Sequence, residues 1–156
     1  MQFPRITKLD YYLHIASAVS LRSTCIRSAY GSVIVLDDRI VSTGYNGSPR
    51  GHINCIDSGT CAREGIETRT RYELCRAVHA EQNAIINARS NVSDATIFIA
   101  GFNNKTGKDK SGDACLPCMM CYRAMVNAGI KAVCIYDNDF KPKIYAINEL
   151  SFVNSI

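Results

Sequence analysis

The chain has 156 residues, 47% hydrophobic and 21% charged, which fits one globular domain (1–156) with a single core. Its net charge of +4 suits a small phosphorylated partner and falls short of the dense Lys/Arg stripe that marks a nucleic-acid surface. No segment approaches the length of a membrane span, and Met1-Gln2-Phe3-Pro4-Arg5 lacks the apolar run of a signal peptide. A cytoplasmic location is therefore expected. The eight cysteines then read as metal ligands in a reducing compartment rather than as disulfides.

The spacing of Leu9, Leu13, Ala16 and Val19 predicts a helix over residues 7–22, capped by Thr7. His14 lies within it and is given no role. Ser32–Leu36 and Ile40–Tyr45 flank Asp37-Asp38-Arg39 and read as a hairpin. About thirty irregular residues follow, up to Ala77, a length that demands a function or a pin. Helices are expected after His79 and from Tyr122 to Asn127, the second stopping at Gly129. Strands are expected at 95–100 and 131–136, with an edge strand at 143–147. Asn148–Ile156 is left unassigned. The order helix, hairpin, helix, strand, helix, strand gives a three-layer α/β fold: a mixed central sheet of about five strands with helices on both faces.

Two local patterns carry the chemistry. His79-Ala80-Glu81 is followed, 36 residues later, by Pro117-Cys118-Met119-Met120-Cys121. One imidazole and two thiolates are a zinc donor set that leaves a fourth position open for water, as catalytic zinc sites do. Glu81 is then not a ligand but a carboxylate placed to move protons. Both ligand groups fall at expected helix starts, where exposed N–H groups favour thiolate over thiol. His79 and Glu81 are two apart, so they converge only if the metal sits off the helix end. The bland reading is a chance histidine near a glutamate and an unrelated cysteine pair. Each half alone is weak, whereas the ordered pair is specific. Cys115 offers a second C-x-x-C frame, and Cys134 lies in an apolar strand, where cysteine is usually core.

The run Cys75-Arg76-Ala77-Val78-His79-Ala80-Glu81-Gln82-Asn83-Ala84-Ile85, with Pro117-Cys118-Met119-Met120-Cys121, resembles the deoxycytidylate (dCMP) deaminase family of the cytidine deaminase superfamily. Ser42–Gly51, containing Gly44-Tyr45-Asn46-Gly47, and Ser23-Thr24-Cys25-Ile26-Arg27 look like the same family, so the likeness runs over roughly residues 8–136. It implies the cytidine deaminase-like fold and zinc-dependent hydrolytic deamination of dCMP to dUMP and ammonia, supplying thymidylate synthesis. In it Pro117 directly precedes the first cysteine ligand, which selects Cys118 over Cys115, and Pro117 is counted with the substrate-binding residues. Asn46 is expected to meet the sugar, an amide being both donor and acceptor, although Asn-Gly is also a plain turn signal. The Ala80 backbone is expected to face the base. For the phosphate Arg27 ranks first, ahead of Arg50 and Arg22, with a hydroxyl from Ser23. Each of these arginines has the ordinary alternative of a solvated surface group. The resemblance further implies a homo-oligomer, commonly a hexamer, with dCTP and dTTP as effectors near Gly44, Tyr45 and Gly47.

Cys25, Cys55, Cys61 and Cys75 bracket the irregular stretch, and four thiolates would make a closed, structural zinc site. Their spacing lacks a paired C-x-x-C, so buried free thiols, or His52 or Asp57 as ligands, stay open. Some family members carry such a site in similar contexts. Leu116, Met119 and the long loop Gly101–Ala114, with Lys105, Lys108 and Lys110, depart from the common family pattern. They bear on substrate range more than on reaction type. Rival readings are another zinc deaminase, acting on cytidine, guanine, a riboflavin precursor or tRNA adenosine, and a zinc-stabilised nucleotide-binding module without catalysis. A tRNA enzyme needs a stronger basic surface, and a pure binding module has no use for Glu81.

Overall fold

The computed structural model describes residues 2–150. Helix α1 (Lys8–Ser20) starts where Thr7 predicts, the Thr7 side chain accepting from the Asp10 N–H at 3.1 Å. It buries Tyr12, Leu13 and Ala16. Strands β1 (Ser28–Leu36) and β2 (Arg39–Tyr45) form the expected antiparallel hairpin. Its turn is Asp37-Asp38, both with positive φ (49° and 60°), the two-residue geometry that matches strand twist. Then come a four-residue helix α2 (Cys55–Ser58), α3 (Ala80–Asn87), β3 (Thr96–Asn103), α4 (Met119–Ala128), β4 (Ala132–Tyr136) and β5 (Pro142–Ala146). The last residues of the chain, left unassigned from sequence, lie outside the described residues from 151 onward.

The sheet runs β2-β1-β3-β4-β5, with β3 and β4 parallel and the other pairs antiparallel. Side chains alternate between its two covered faces. Val33, Val35, Phe98, Ala100 and Cys134 pack under α1, while Ile34, Ile97, Ile99, Val133 and Ile135 pack under α3 and α4. The expected three layers are thus present, and Cys134 is core. β1 begins four residues earlier than predicted and β3 runs three further. Ser28–Gly31 pairs with Ala100–Asn103, a long-range pairing that overrides the weak strand character of serine and glycine. Gly31 also lets α1 cross the strand: a Cβ there would lie 2.1 Å from the Ala16 carbonyl oxygen.

Helix α3, which leads out of His79, is pinned along β2. Ser42 Oγ donates to the Ala84 carbonyl at 2.7 Å, Asn83 Nδ2 to the Tyr45 carbonyl at 2.8 Å and Asn87 Nδ2 to the Thr43 carbonyl at 2.9 Å. Gly44 makes this approach possible, because a Cβ there would lie 2.3 Å from Ala84 N and 2.5 Å from the Ala80 carbonyl oxygen. Gly47 and Val78 exchange backbone hydrogen bonds at 3.1 and 2.8 Å, which fixes the chain just ahead of His79. No helix among the described residues is long and apolar enough to cross a membrane.

Candidate active site

His79 is the N-cap residue of α3, and Glu81 lies in that helix's first turn. The His79 N–H donates to Gln82 Oε1 at 3.1 Å, the backward half of a capping box. Cys118 is the N-cap residue of α4, so Cys121 falls one turn inside it. Pro117, fully buried, sits just ahead. The two helix N-termini meet on the far side of the sheet from α1. Their convergence solves the two-residue offset between His79 and Glu81: the imidazole projects from the cap and the carboxylate from the first turn, towards a point beyond the helix end.

His79 Nδ1 lies 3.5 Å from Cys118 Sγ and 3.4 Å from Cys121 Sγ. All three donor atoms fall within 4.8 Å of one another. A tetrahedral zinc with Zn–S near 2.3 Å and Zn–N near 2.05 Å sets its nitrogen and sulfur ligands roughly 3.6 Å apart. The donor set and its spacing therefore fit zinc, with Nδ1 as the histidine donor. The electrostatics agree. Hydrogen bonding from Cys121 and the nearby imidazole outweigh burial and bring the Cys118 thiol down to about 4, while Cys121, sharing that proton and buried, is pushed up. Burial acts to lower the His79 pKa, but hydrogen bonding to Cys118 and the charge of Glu81 outweigh it, and the net shift is upward. Burial dominates at Glu81 and raises its carboxyl pKa, against the opposing pull of His79.

A cleft of about 360 Å³ opens above these groups. His79, Ala80, Glu81 and Cys118 form its floor, and Asn46, Tyr30 and Tyr72 its walls. Tyr72 meets the His79 ring edge-on, with centroids 5.0 Å apart. Asn46 is buried: its Oδ1 accepts from the Tyr30 N–H at 2.8 Å and its Nδ2 donates to the Ser28 carbonyl at 2.9 Å. One amide N–H of Asn46 therefore remains for a ligand, while the rest of the group splices β1 to the end of β2.

The structure sorts the remaining expectations. Arg27 lines the cleft, its Nη1 donating to the Arg63 carbonyl at 2.9 Å. Ser23, Arg22 and Arg50 do not line it; Ser23 Oγ accepts from the Cys25 N–H at 3.2 Å, and Arg50 reaches Asn87. Pro117 packs beneath the ligand loop rather than on the cleft surface. Gly44 backs onto α3, Gly47 onto the Thr24 hydroxyl, and Tyr45 is half-exposed, all outside the cleft. Cys25, Cys61 and Cys75 line one end of the cleft, and the Ile56 N–H donates to the Thr24 carbonyl, drawing the Cys55 segment alongside. These four thiols do not close on one another: among the described residues, only His79, Cys118 and Cys121 form a cluster of three or more ligand groups within 4.8 Å.

Sequence reasoning missed Arg63 and Arg69, and it noted Lys105 and Lys110 only as part of a long loop, yet all four line the cleft. Arg69 has φ of +67° and donates to the carbonyls of Asp113 and Leu116, tying the irregular segment to the loop that precedes Cys118. The available signal was the density of arginines at 63, 69 and 71. Arginine in an aperiodic loop ordinarily reads as solvated.

The fold and site define a three-layer α/β protein whose His-Cys-Cys centre sits between two helix N-termini at the base of a cationic cleft. The chain belongs to the family of the cytidine and deoxycytidylate deaminase zinc-binding region, whose signature it matches over residues 6–137. It is 35% identical over 127 residues to the deoxycytidylate deaminase of Schizosaccharomyces pombe, covering 80% of this chain but only about a third (35%) of that protein. It is 33% identical over 132 residues to the deoxycytidylate deaminase of Mycobacterium phage D29, covering 80% of this chain and 90% of the phage protein. Among solved structures, the dCMP deaminase of cyanophage S-TIM5, in complex with dCMP and dUMP, superposes with a TM-score of 0.58 at 24% identity, over 84% of this chain and 82% of that one. The fold is therefore the cytidine deaminase-like fold.

Proposed function

We propose that this protein, as a single catalytic domain, hydrolyses dCMP to dUMP and ammonia. The observation that carries the reading is Glu81: a buried carboxylate, two residues from the histidine of the metal cluster, that forms the floor of a nucleotide-sized cleft. Its relatives bearing the deoxycytidylate deaminase name supply the substrate. Zinc, held by His79, Cys118 and Cys121, would act as the Lewis acid that makes water nucleophilic near neutral pH. Glu81 takes one proton from the attacking water and delivers it to the ring nitrogen, then carries the proton left on the added hydroxyl to the departing amine, so that the water's oxygen becomes the new carbonyl and one ammonia leaves. Its raised pKa suits a group that must both accept and return a proton. The free amide N–H of Asn46 is available to a sugar hydroxyl, and the Ala80 backbone, at the start of α3, borders the space for the base.

The test is ammonia release from the zinc-loaded protein against dCMP, CMP, deoxycytidine, cytosine, guanine and tRNA, with and without dCTP. Turnover confined to dCMP establishes the substrate, and turnover of another base instead overturns it. A dCTP requirement, with inhibition by dTTP and a hexamer in sedimentation, would establish the regulated assembly proposed around Gly44, Tyr45 and Gly47. The product dUMP would supply thymidylate synthesis in the cytoplasm. We also propose that Cys25, Cys55, Cys61 and Cys75 take up a second, structural zinc. Support comes from Cys25, Cys61 and Cys75, which line the same cleft; the Cys75 thiol feels both others, while Cys55 would have to move in to close the shell. Two zinc ions per chain, falling to one in Cys61→Ser, is the expected result; one in the native protein overturns it.

A further inference from the structure

His79 has to keep its Nδ1 turned towards two sulfurs, 3.5 Å from Cys118 and 3.4 Å from Cys121. Its backbone is fixed, since Val78 exchanges hydrogen bonds with Gly47 and the His79 N–H donates to Gln82. Its side chain still has two torsions, and the ring is only half-buried at the cleft floor. A metal-ligating histidine is ordinarily steadied by a hydrogen bond from its second ring nitrogen to a carboxylate, a carbonyl or water. Among the described residues the ring's hydrogen bonds all fall on Nδ1, and Nε2 has no protein partner.

What the imidazole does meet is Tyr72. The two rings stand 5.0 Å apart, centroid to centroid, at 83°, the T-shaped arrangement that aromatic pairs favour. Tyr72 comes from the aperiodic segment, yet it is held from several sides. A short 3₁₀ turn, Tyr72–Leu74, carries it, closed by the Cys75 N–H on the Tyr72 carbonyl at 2.9 Å. Its ring packs against the apolar core under α3 and α4, and the Arg63 guanidinium carbon lies 4.5 Å from its centroid. Arg63 is buried and tethered in turn: its Nη2 donates to the Glu67 carbonyl at 3.1 Å, and its own carbonyl accepts from Arg27 at 2.9 Å. The tyrosine is therefore fixed by protein contacts alone.

We propose that Tyr72 is a positioning residue for His79: its ring confines the imidazole to the orientation that aims Nδ1 at the metal, in place of the usual hydrogen bond at the second nitrogen. This rests on His79 being a metal ligand, as in the deaminase reading of the same site. The contact is one of ring against ring, so it needs the aromatic group and not the hydroxyl. An imidazole confined before the metal arrives has less rotational freedom to lose when it binds, which strengthens metal binding without any added ligand.

The experiment measures zinc affinity, by competition with a chromophoric chelator, and the ligand-field bands of the Co²⁺-substituted protein, for wild type, Tyr72→Phe and Tyr72→Leu. Tyr72→Leu should weaken zinc binding by about 10- to 100-fold and shift or broaden the Co²⁺ bands. Tyr72→Phe keeps the ring and should stay within a few-fold of wild type, with unchanged bands. A merely structural tyrosine would lower the melting temperature of metal-free Tyr72→Leu but leave its zinc affinity and Co²⁺ bands as in wild type, which overturns the proposal. Tyr72→Phe failing as Tyr72→Leu does would put the role on the hydroxyl and overturns it too. Should Tyr72→Leu not fold, metal-free wild type carries the test: nuclear Overhauser contacts between the Tyr72 ring and the His79 imidazole must be present, and their absence overturns the proposal. The deaminase reading fails separately. Zinc binding that depends on Tyr72, without ammonia release from dCMP, would defeat that reading and keep this one. Ammonia release from dCMP by wild type, with zinc affinity untouched in Tyr72→Leu, would do the reverse.

Discussion

Replacing Glu81 with glutamine separates chemistry from architecture. The two side chains have nearly the same volume, so no cavity opens in a position that is 7% exposed. The change removes a carboxyl whose charged form burial disfavours. Folding stability should therefore hold or rise slightly, and zinc content should not change, since Glu81 is outside the ligand cluster. Activity should collapse because, among the described residues that line the cleft, no other carboxylate is present to replace it. Burial holds Cys115 up at about 12 and raises Tyr30 and Tyr72, so all three stay protonated at neutral pH and cannot serve as bases. With no substitute, the loss should reach the upper end of general acid–base effects, about 10⁴-fold, or roughly 5.5 kcal/mol of transition-state stabilisation. Ammonia release from dCMP, metal quantification and the melting temperature, measured on one preparation, check all three statements. A variant that binds zinc, melts like wild type and retains more than about a hundredth of its activity would refute the assignment of Glu81 as the proton carrier.

Three further outcomes follow from the packing. Gly44→Ala should cost about 3 kcal/mol and reduce activity sharply, because its Cβ meets α3 backbone atoms that carry His79 and Glu81; unfolding by urea and an activity assay test this. Asn46→Ala should lower stability by about 2 kcal/mol even without ligand, since the Tyr30 N–H and the Ser28 carbonyl lose their buried partner; equal melting curves would show that Asn46 acts on substrate alone. At Asp38, hydrogen bonds from Lys8 and Tyr12 hold the carboxyl below its usual value. Its stabilising contribution is present above the unfolded carboxylate pKa of about 3.9 and is lost as pH falls through the lower folded value. Asp38→Asn, tolerated at φ of 60°, should flatten that acid limb in a pH series of melting temperatures.

The sequence was most legible where its signals are local. The Thr7 cap, the Asp37-Asp38 turn and the stop at Gly129 each depend on a few adjacent residues and appear in the structure as expected. The helix starts at His79 and Cys118 were likewise readable, because a ligand motif must sit at an exposed helix end to use its N–H groups. Strand ends were less so: the first residues of β1 and the last of β3 become strand only by pairing with each other.

The amino-acid order thus pointed to the proposed reacting groups, an imidazole, two thiols and a carboxylate, of which the structure brings the imidazole and the two thiols together. Tertiary structure decided the surroundings in which they act. Asn46 proved to be a splice between strands as well as a cleft wall, because both of its backbone partners lie in β1. Arg63 became a buried cation only through Tyr72 beneath it and Arg27 beside it, 36 residues back in the chain. A segment without periodicity gives no reading of which side chains it buries, since burial there is fixed by contacts with distant elements rather than by a repeating local pattern.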